Sequence, residues 1–220
     1  MRLLLIHTSG AEGSLALADA SGVVATEVLP GRTSSELLVP RVRQMMELCG
    51  WRLGELTAIV VVHGPGSFTG VGVGVSAAKG LSEAGGGVAL IAISRLALVA
   101  DSAGEGDGLV YAVLDAGRGQ FYYGQYEGRR CLREALLTVN EVVAASSESG
   151  GVAVACEAKV AEGLPGLRLR LVPEPLAGDA LPLALERIER GEFDDAMTLD
   201  ANYLRQTDTE ILAKMKLGRA

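Results

Sequence analysis

A glycine-rich stretch at residues 64–70, Gly-Pro-Gly-Ser-Phe-Thr-Gly, has the residue types of an anion-binding loop. An apolar run at residues 58–62 predicts a buried strand before it, and residues 71–84 predict a helix after it. Such a junction turns backbone N–H groups and the positive end of the helix toward one point, which favours an anion. The alternative is a tight turn that needs glycine for steric reasons alone. The residues that we expect to form the anion site are Gly64, Gly66, Ser67, Thr69 and Gly70.

This stretch differs from two common nucleotide-binding patterns. The sequence contains no Gly-Lys-Ser or Gly-Lys-Thr, so it lacks the lysine with which a Walker A loop holds phosphate. The three glycines are spaced G-x-G-x-x-x-G, one residue longer than the dinucleotide-binding pattern. The prediction of an anion site therefore depends on the strand–turn–helix junction alone.

Other side chains that could carry out catalysis or bind a metal are few and scattered. His7 and His63, the only two histidines, each lie at the end of a predicted core strand, so they could meet in space or serve the structure only. They have neither the H-x-x-x-H nor the H-E-x-x-H spacing of a metal site. Cys49, Cys131 and Cys156 share no metal-type spacing, and no G-x-S-x-G motif occurs. We therefore predict no catalytic residue and no metal site.

Short apolar segments must hold the glycine-rich stretch in place. Residues 2–8, 14–20 and 23–29 predict three strands, and the turns between them are short enough to require an antiparallel meander. A helix follows, with Ser34 or Ser35 as its N-cap because a hydroxyl oxygen can accept a free N–H of the first turn.

This first helix carries an apolar band that is broader than a single core stripe. The members of the band are Leu37, Leu38, Val42, Met45 and Met46. A band of this kind usually packs in the core, but its breadth and its methionines leave room for a second surface that faces a partner. In that interpretation Met46 lies at the exposed edge of the band.

The helix after the glycine-rich stretch has one nearly smooth face. Gly70, Gly74 and Ala78 recur every four residues, with Val71 and Val75 beside them. Each glycine in a helix costs about 1 kcal/mol relative to alanine, so we expect an offsetting close approach by another helix or by backbone. That neighbour could belong to this chain or to a partner. The residues of this helix that we assign to a partner interface are Val71, Gly74, Val75 and Ala78.

A segment of small and polar residues, 102–108, predicts the boundary between two lobes. We assign residues 1–101 to the first lobe, 102–191 to a smaller second lobe, and 192–220 to a tail that returns to the first lobe. The segments that predict regular structure in the second lobe are 109–114, 120–127, 138–147, 152–156, 168–172 and a last helix capped by Asp179.

Composition limits the classes of function. The chain has 220 residues, a net charge of −7 and a pI near 5.0, which argues against a protein that grips RNA by itself. With 49% hydrophobic residues it can form a substantial core, and no stretch is long and apolar enough for a membrane span. Three cysteines without a disulfide-like pattern fit a reducing, cytoplasmic compartment.

Four segments, in order, resemble the TsaB (YeaZ) family of the actin/Hsp70/sugar-kinase superfamily. Residues 5–9, Leu-Ile-His-Thr-Ser, resemble the opening motif IDTS, and residues 35–40, Ser-Glu-Leu-Leu-Val-Pro, resemble HSELLP with one extra residue. Residues 64–70 match GPGSFTG, and residues 115–122, Asp-Ala-Gly-Arg-Gly-Gln-Phe-Tyr, resemble DARRGEVY. The resemblance covers about the first 127 residues and Tyr203-Leu204-Arg205 near the end.

The resemblance implies an α/β fold with two actin-like (ribonuclease H-like) lobes, each a mixed sheet flanked by helices. It implies a non-catalytic subunit that pairs with a TsaD-like enzyme, which transfers threonylcarbamoyl to a tRNA adenosine beside the anticodon. A TsaE-like ATPase would join the assembly, the subunit would form a homodimer when alone, and tRNA would be contacted only through the complex.

Three positions depart from the family pattern. His7 replaces the aspartate of the opening motif, which in the wider superfamily helps to organise Mg²⁺ and phosphate. Gly72 replaces the arginine that usually follows the glycine-rich stretch, and Gly117 replaces the first arginine of the fourth motif. Because imidazole is a poor ligand for Mg²⁺, we expect no tightly bound cofactor and at most weak binding of ATP–Mg by the isolated chain.

Two other classes of function remain as alternatives. One is an ATP-dependent phosphotransferase-like protein of the same fold, against which His7 and Gly72 count. The other is a glycoprotease-like metallopeptidase, against which the two separated histidines count.

Overall fold

In the computed structural model of the chain, the described residues are 1–30, 33–104, 106, 108–147 and 150–204. They contain ten strands: β1 Arg2–His7, β2 Gly13–Asp19, β3 Gly22–Leu29, β4 Ala58–Val62, β5 Ala89–Ile93, β6 Leu109–Gly117, β7 Gln120–Glu127, β8 Arg130–Thr138, β9 Val152–Ala155 and β10 Leu169–Leu171. They also contain six α-helices: α1 Ser34–Leu48, α2 Phe68–Ala84, α3 Arg95–Asp101, α4 Val139–Ser147, α5 Ala158–Gly163 and α6 Leu181–Glu189. Short 3₁₀ helices lie at Leu53–Glu55 and Ala177–Ala180.

The strands form two five-stranded mixed sheets of the same topology. The first has the order β3-β2-β1-β4-β5 and the second the order β8-β7-β6-β9-β10. In each, three antiparallel strands are followed by two parallel ones. The expected α/β fold of two lobes, each with a mixed sheet and flanking helices, is thereby confirmed. No repeat in the sequence indicates this similarity between the lobes.

The first sheet is covered on both faces because its central strands are apolar throughout. Leu4 and Ile6 of β1 face α1 and α2, whereas Leu3 and Leu5 face the opposite side. That opposite side is covered by the 3₁₀ helix Ala177–Ala180 and by α6, which come from the far end of the chain.

The helices that follow the fifth strand of each sheet cross between the lobes. α3 follows β5, yet its side chains Leu96 and Val99 pack in the core of the second sheet. α6 follows β10, yet Leu183 packs against the first sheet. The packing thus differs from boundaries at 101 and 191, which place α3 in the first lobe and α6 in the second. The apolar stripe of a helix is a local property and does not specify which sheet it covers.

Other differences concern elements that have weak local signals. The strand β8 and the short helix α5 lie in segments for which we predicted no regular structure. The cap of α1 also differs from the prediction, since the N-cap is Thr33, whose hydroxyl donates to the carbonyl oxygen of Pro30 and does not cap the helix. By contrast, the side chain of Ser94 caps α3 and accepts the N–H of Leu96 at 3.2 Å.

Residues 192–204 lie against the first lobe. Asp194 bridges to Leu90 of the edge strand β5, and Leu199 is part of the core beneath α1 and α2. The N–H of Asn202 donates to the carbonyl oxygen of His63 at 2.8 Å. The rest of the predicted tail, residues 205–220 with Arg205 and the charged segment, lies outside the described residues. None of the helices in the described part combines the length and apolar character that crossing a membrane requires.

Candidate functional site

The glycine loop (residues 64–70) joins the end of β4 to α2, as the sequence predicts. Ser67 is the N-cap of α2, and its hydroxyl oxygen accepts the N–H of Gly70 at 3.2 Å. The N–H of Ser67 donates to the carbonyl oxygen of Ser9 at 3.0 Å, and the hydroxyl of Thr8 donates to the carbonyl oxygen of Gly70 at 2.7 Å. These bonds fix the loop to the residues that follow β1.

The glycines of the loop are required by close approach to Thr8 and Ser9. A Cβ atom added to Gly66 would lie 2.1 Å from the carbonyl oxygen of Ser9, and one added to Gly70 would lie 2.0 Å from that of Thr8. A Cβ on Gly74 would lie 2.3 Å from the Oγ1 of Thr8. The neighbour of the smooth face of α2 is therefore a segment of this same chain, the residues that directly follow β1. The steric explanation accounts for these three glycines.

Anion binding at the loop remains a prediction. Two of the N–H groups that would bind an anion, those of Ser67 and Gly70, already have partners within the chain. Ser67 and Thr69 are exposed, Gly64 is buried, and Gly66 and Gly70 are partly buried. The five predicted residues are thus brought together, at the surface next to the end of β1.

His7 is buried where the family's opening motif carries an aspartate. Its side chain is 1% exposed, and neither ring nitrogen has a hydrogen-bond partner. Burial, reinforced by the positive charge of Arg95 and partly offset by Glu174, lowers the pKa of His7 to about 4. The imidazole is therefore neutral near pH 7, and it adds no charge to the site.

Arg95, the first residue of α3, is the charged centre of the contact between the lobes. Its side chain is only 4% exposed, and its Nη2 donates to Glu174 at 2.7 Å and to Glu157 at 3.1 Å. The backbone N–H of Arg95 donates to the carbonyl oxygen of Gly64 at 2.7 Å. Burial opposes the charge, but Glu174 and the other neighbours outweigh it and raise the pKa of Arg95. One residue thus connects the glycine loop to two acidic residues that follow β9 and β10.

Cys156 lies beside the same group. Its Sγ is 3.8 Å from the Nη2 of Arg95, and burial together with a hydrogen bond to Glu174 raises the pKa of its thiol to about 12. In the described part of the chain, Cys156, Glu157 and Glu174 form the one group with metal-ligand atoms close together, within 4.8 Å. Neither histidine belongs to it, which gives no support to a histidine metal site.

His63 has a structural contact with the tail. Its Nδ1 lies 3.1 Å from the carbonyl oxygen of Asp200, to which an N–H at that position donates. Further along the tail, the ring of Tyr203 stacks on Phe68, with centroids 4.9 Å apart. A Cβ atom on Gly72 would lie 3.7 Å from the hydroxyl of Tyr203. The position that carries arginine in the family is therefore next to this exposed aromatic pair.

Most of the predicted partner-facing residues are buried inside the chain. Only Leu37 of the α1 band is partly exposed, and Gly74 of α2 is buried against Thr8. The other buried residues of the prediction are Leu38, Val42, Met45, Met46, Val71, Val75 and Ala78. The expectation that Met46 lies at an exposed edge is wrong, because it packs in the core at 5% exposure. Exposed apolar side chains of the two helices are instead Val39, Leu48 and Phe68.

The sequence interpretation missed the role of Arg95. A signal was present, because Arg95 is the single charged residue between the apolar strand β5 and the apolar residues 96–100. A lone charge in such a run is either a surface break or a buried ion with distant partners. The partners follow more than 60 residues later in the sequence, at Glu157 and Glu174, so local patterns do not reveal them.

Comparisons with known proteins agree with the motifs. Residues 16–174 match the family model described as "TsaD: tRNA N6-adenosine threonylcarbamoyltransferase". The chain is 33% identical over 146 residues to the tRNA threonylcarbamoyladenosine biosynthesis protein TsaB of Bacillus subtilis, covering 66% of this chain and 63% of that protein. It is 33% identical over 129 residues to TsaB of Escherichia coli, covering 58% of this chain and 55% of that protein. The match thus spans little more than half the length of these relatives.

The fold comparison extends further along the chain. A solved structure titled "YeaZ from Pseudomonas aeruginosa" superposes with a TM-score of 0.77 at 29% sequence identity, and the match covers 92% of this chain and 99% of that one. A second structure, of a Pseudomonas aeruginosa protein "with similarity to peptidase YEAZ", gives a TM-score of 0.78 at 28% identity, covering 93% and 99%. The chain therefore belongs to the family that the TsaD model describes, in its TsaB (YeaZ) branch.

Proposed function

We propose that this protein is a non-catalytic subunit that pairs with a TsaD-like enzyme in the synthesis of threonylcarbamoyladenosine on tRNA. The observation that carries the proposal is the match of sequence and fold to TsaB and YeaZ proteins. In this proposal the partner supplies catalysis and the tRNA contacts, a TsaE-like ATPase joins the assembly, and the free subunit forms a homodimer. A cytoplasmic location fits these roles.

The outer surface of α1 and α2 is the docking surface that we propose for the partner. Both helices lie on one face of the first sheet, so their outward sides form one layer. A shallow groove of about 430 Å³ on α1 is lined by Val39, Pro40, Arg43, Gln44 and Glu47. Phe68, 62% exposed and stacked on Tyr203, adds an aromatic side chain at the start of α2. Exposed aliphatic and aromatic side chains of this kind can serve as anchors of an interface.

Val39→Glu tests this docking surface. A charge there should weaken the complex with the TsaD-like partner at least about tenfold, because an apolar anchor would be replaced by a group that must be desolvated. Affinity is measured with the purified partner, and threonylcarbamoyladenosine is measured in cells that depend on this gene. Met46→Glu is unsuitable, since a buried charge would disturb the fold itself.

Val28→Glu is the matched control. Val28 lies on β3 between Glu27, which pairs with Arg41 of α1, and Leu29, which packs in the core under α1, so its side chain is on the opposite face of the sheet. It is as exposed as Val39, 48% against 49%. It should leave pairing and modification unchanged. A folded Val39→Glu protein with full pairing and modification would contradict the docking surface. Full modification in cells that lack the gene would contradict the function.

Weak nucleotide binding by the isolated chain is a further part of the proposal. His7 is neutral and buried, and an imidazole is a poor ligand for Mg²⁺, which prefers oxygen. We expect a dissociation constant in the millimolar range for ATP–Mg, about −4 kcal/mol. Isothermal titration calorimetry measures it, and a low-micromolar constant would favour the phosphotransferase-like alternative.

A further inference from the structure

Three donor groups from the second half of the chain converge on one cation. The Sγ of Cys156 and a carboxylate oxygen each of Glu157 and Glu174 lie within 4.8 Å of one another. All three are within hydrogen-bond distance of the same atom, the Nη2 of Arg95. The ligand atoms of a tetrahedral zinc ion lie about 3.5 Å apart, so small side-chain movements would bring these three donors to the spacing of a divalent-metal site.

The position of Arg95 is unfavourable for a positive charge apart from these donors. It is the first residue of α3, where the helix dipole is positive, and its side chain is 4% exposed. In the sequence, the stretches on either side of it, residues 89–93 and 96–100, are apolar. The guanidinium is therefore stabilised there by Glu157 and Glu174, which belong to other parts of the fold.

The same side chain is packed between the lobes. A Cβ atom on Gly66 would lie 3.3 Å from the Nη1 of Arg95, and one on Gly10 would lie 2.6 Å from the Oε1 of Glu174. The second carboxylate oxygen of Glu157 accepts the N–H of Asp115 at 3.4 Å. The charged group thus has the glycine loop on one side and the ends of β6 and β9 on the other.

We propose that Arg95 is the built-in cation of a three-donor site between the lobes, and that its positive charge holds the second lobe against the glycine loop. A divalent metal ion can replace the guanidinium when the arginine is removed, because the remaining donors are a thiol and two carboxylates. The proposal concerns this chain alone and goes beyond its function as a partner subunit.

Arg95→Ala, measured with and without Zn²⁺, tests the proposal. Leaving two partly buried carboxylates unpaired should lower the Tm by about 10 °C. Micromolar Zn²⁺ should restore at least about 3 °C in the variant and leave the wild-type Tm unchanged. Adding Cys156→Ser to Arg95→Ala should remove most of the zinc effect. Hydrogen exchange at residues 64–70 and 155–160 should be faster in Arg95→Ala and slower again with Zn²⁺.

Arg52→Ala is the control, since Arg52 also pairs with a glutamate but is exposed. It should change the Tm by less than about 2 °C and show no zinc response. An Arg95→Ala protein with the wild-type Tm, or an equal zinc response in wild type and variant, would overturn the proposal. If Arg95→Ala does not fold, it is combined with Glu157→Gln and Glu174→Gln. Folding of that triple variant supports the proposal, and its failure overturns it, because packing and not charge would then be essential.

None of these measurements involves a TsaD-like partner. The proposal about Arg95 and the proposed function can therefore fail independently of each other.

Discussion

The two lobes have the same sheet topology, but the ends of their central strands are built differently. In the first lobe, the end of β1 meets the glycine loop after β4 through backbone contacts that leave no room for a Cβ atom. In the second lobe, the corresponding ends of β6 and β9 carry Asp115, Cys156 and Glu157. The strand ends of the first lobe are thus held by close backbone packing, and those of the second lobe by ion pairs. We call them the steric end and the charged end.

The helices after the fourth strands differ in the same way. α2 follows β4 with 17 residues and buries a full face, whereas α5 follows β9 with only 6 residues. A long helix needs small residues where it starts close to another segment, and α2 has them. A short helix leaves the strand end open to polar groups, which here bind Arg95 at the start of α3. The shared topology therefore places the strand ends of the two lobes next to each other. The side chains there decide whether close packing or ion pairs hold each of them.

The largest loss of stability should come from a substitution that disturbs the close packing at the steric end. Gly70→Ala places a Cβ atom 2.0 Å from the carbonyl oxygen of Thr8, a backbone atom that cannot move alone. We expect the free energy of unfolding to fall by roughly 3 kcal/mol. In the second lobe, Gly163→Ala meets the ring edge of Phe121 at 2.9 Å, and we expect about 1 kcal/mol because a ring edge can shift. Urea unfolding measures both.

Gly80→Ala in the same helix is the control. No atom lies within 4 Å of its added Cβ, so it should raise stability by up to about 1 kcal/mol through helix propensity. Equal stability of Gly70→Ala and Gly80→Ala would show that the approach of Thr8 is not tight.

An effect of nearly the same size is a pH dependence from His7, which lies close to both Arg95 and Glu174. Its pKa of about 4 in the folded protein is below the value of about 6.5 in the unfolded chain, so the unfolded state binds more protons in that range. The contribution of His7 to the free energy of unfolding should be complete above about pH 6.5. It should fall by about 3 kcal/mol as the pH decreases to 4. His7→Leu removes this contribution, so the difference in stability between the two proteins should change by that amount. Urea unfolding at pH 7, 5.5 and 4 measures it, and parallel pH profiles would contradict the assignment to His7.

The smallest change in stability should come from the solvent-exposed ion pair at the charged end. Lys159 pairs with Asp115 at 2.6 Å, but its side chain is 62% exposed. Lys159→Met should change the free energy of unfolding by less than about 1 kcal/mol, because solvent screens such pairs. A change as large as that of Arg95→Ala, measured by thermal unfolding, would mean that exposure does not separate the two charged contacts.

Much of the fold could be predicted because it depends on local patterns. The first four strands and both long helices of the first lobe follow from apolar periodicity and turn residues. The residues of the candidate site could be predicted only in part. The glycine loop was found by its motif, whereas Arg95 and its two glutamates were not, because no local pattern links residues so far apart.

The sequence by itself determined the strand and helix periods, the position of the glycine loop between a strand and a helix, and the family motifs, since each of these is set by neighbouring residues. The tertiary structure decided which sheet α3 and α6 cover and that Met46 faces inward. It also decided that Thr8 and Ser9 are the residues that pack against the glycines of the loop. It also decided that Arg95 is buried between two glutamates. These features depend on the path of the chain between distant segments, which side-chain periodicity does not contain.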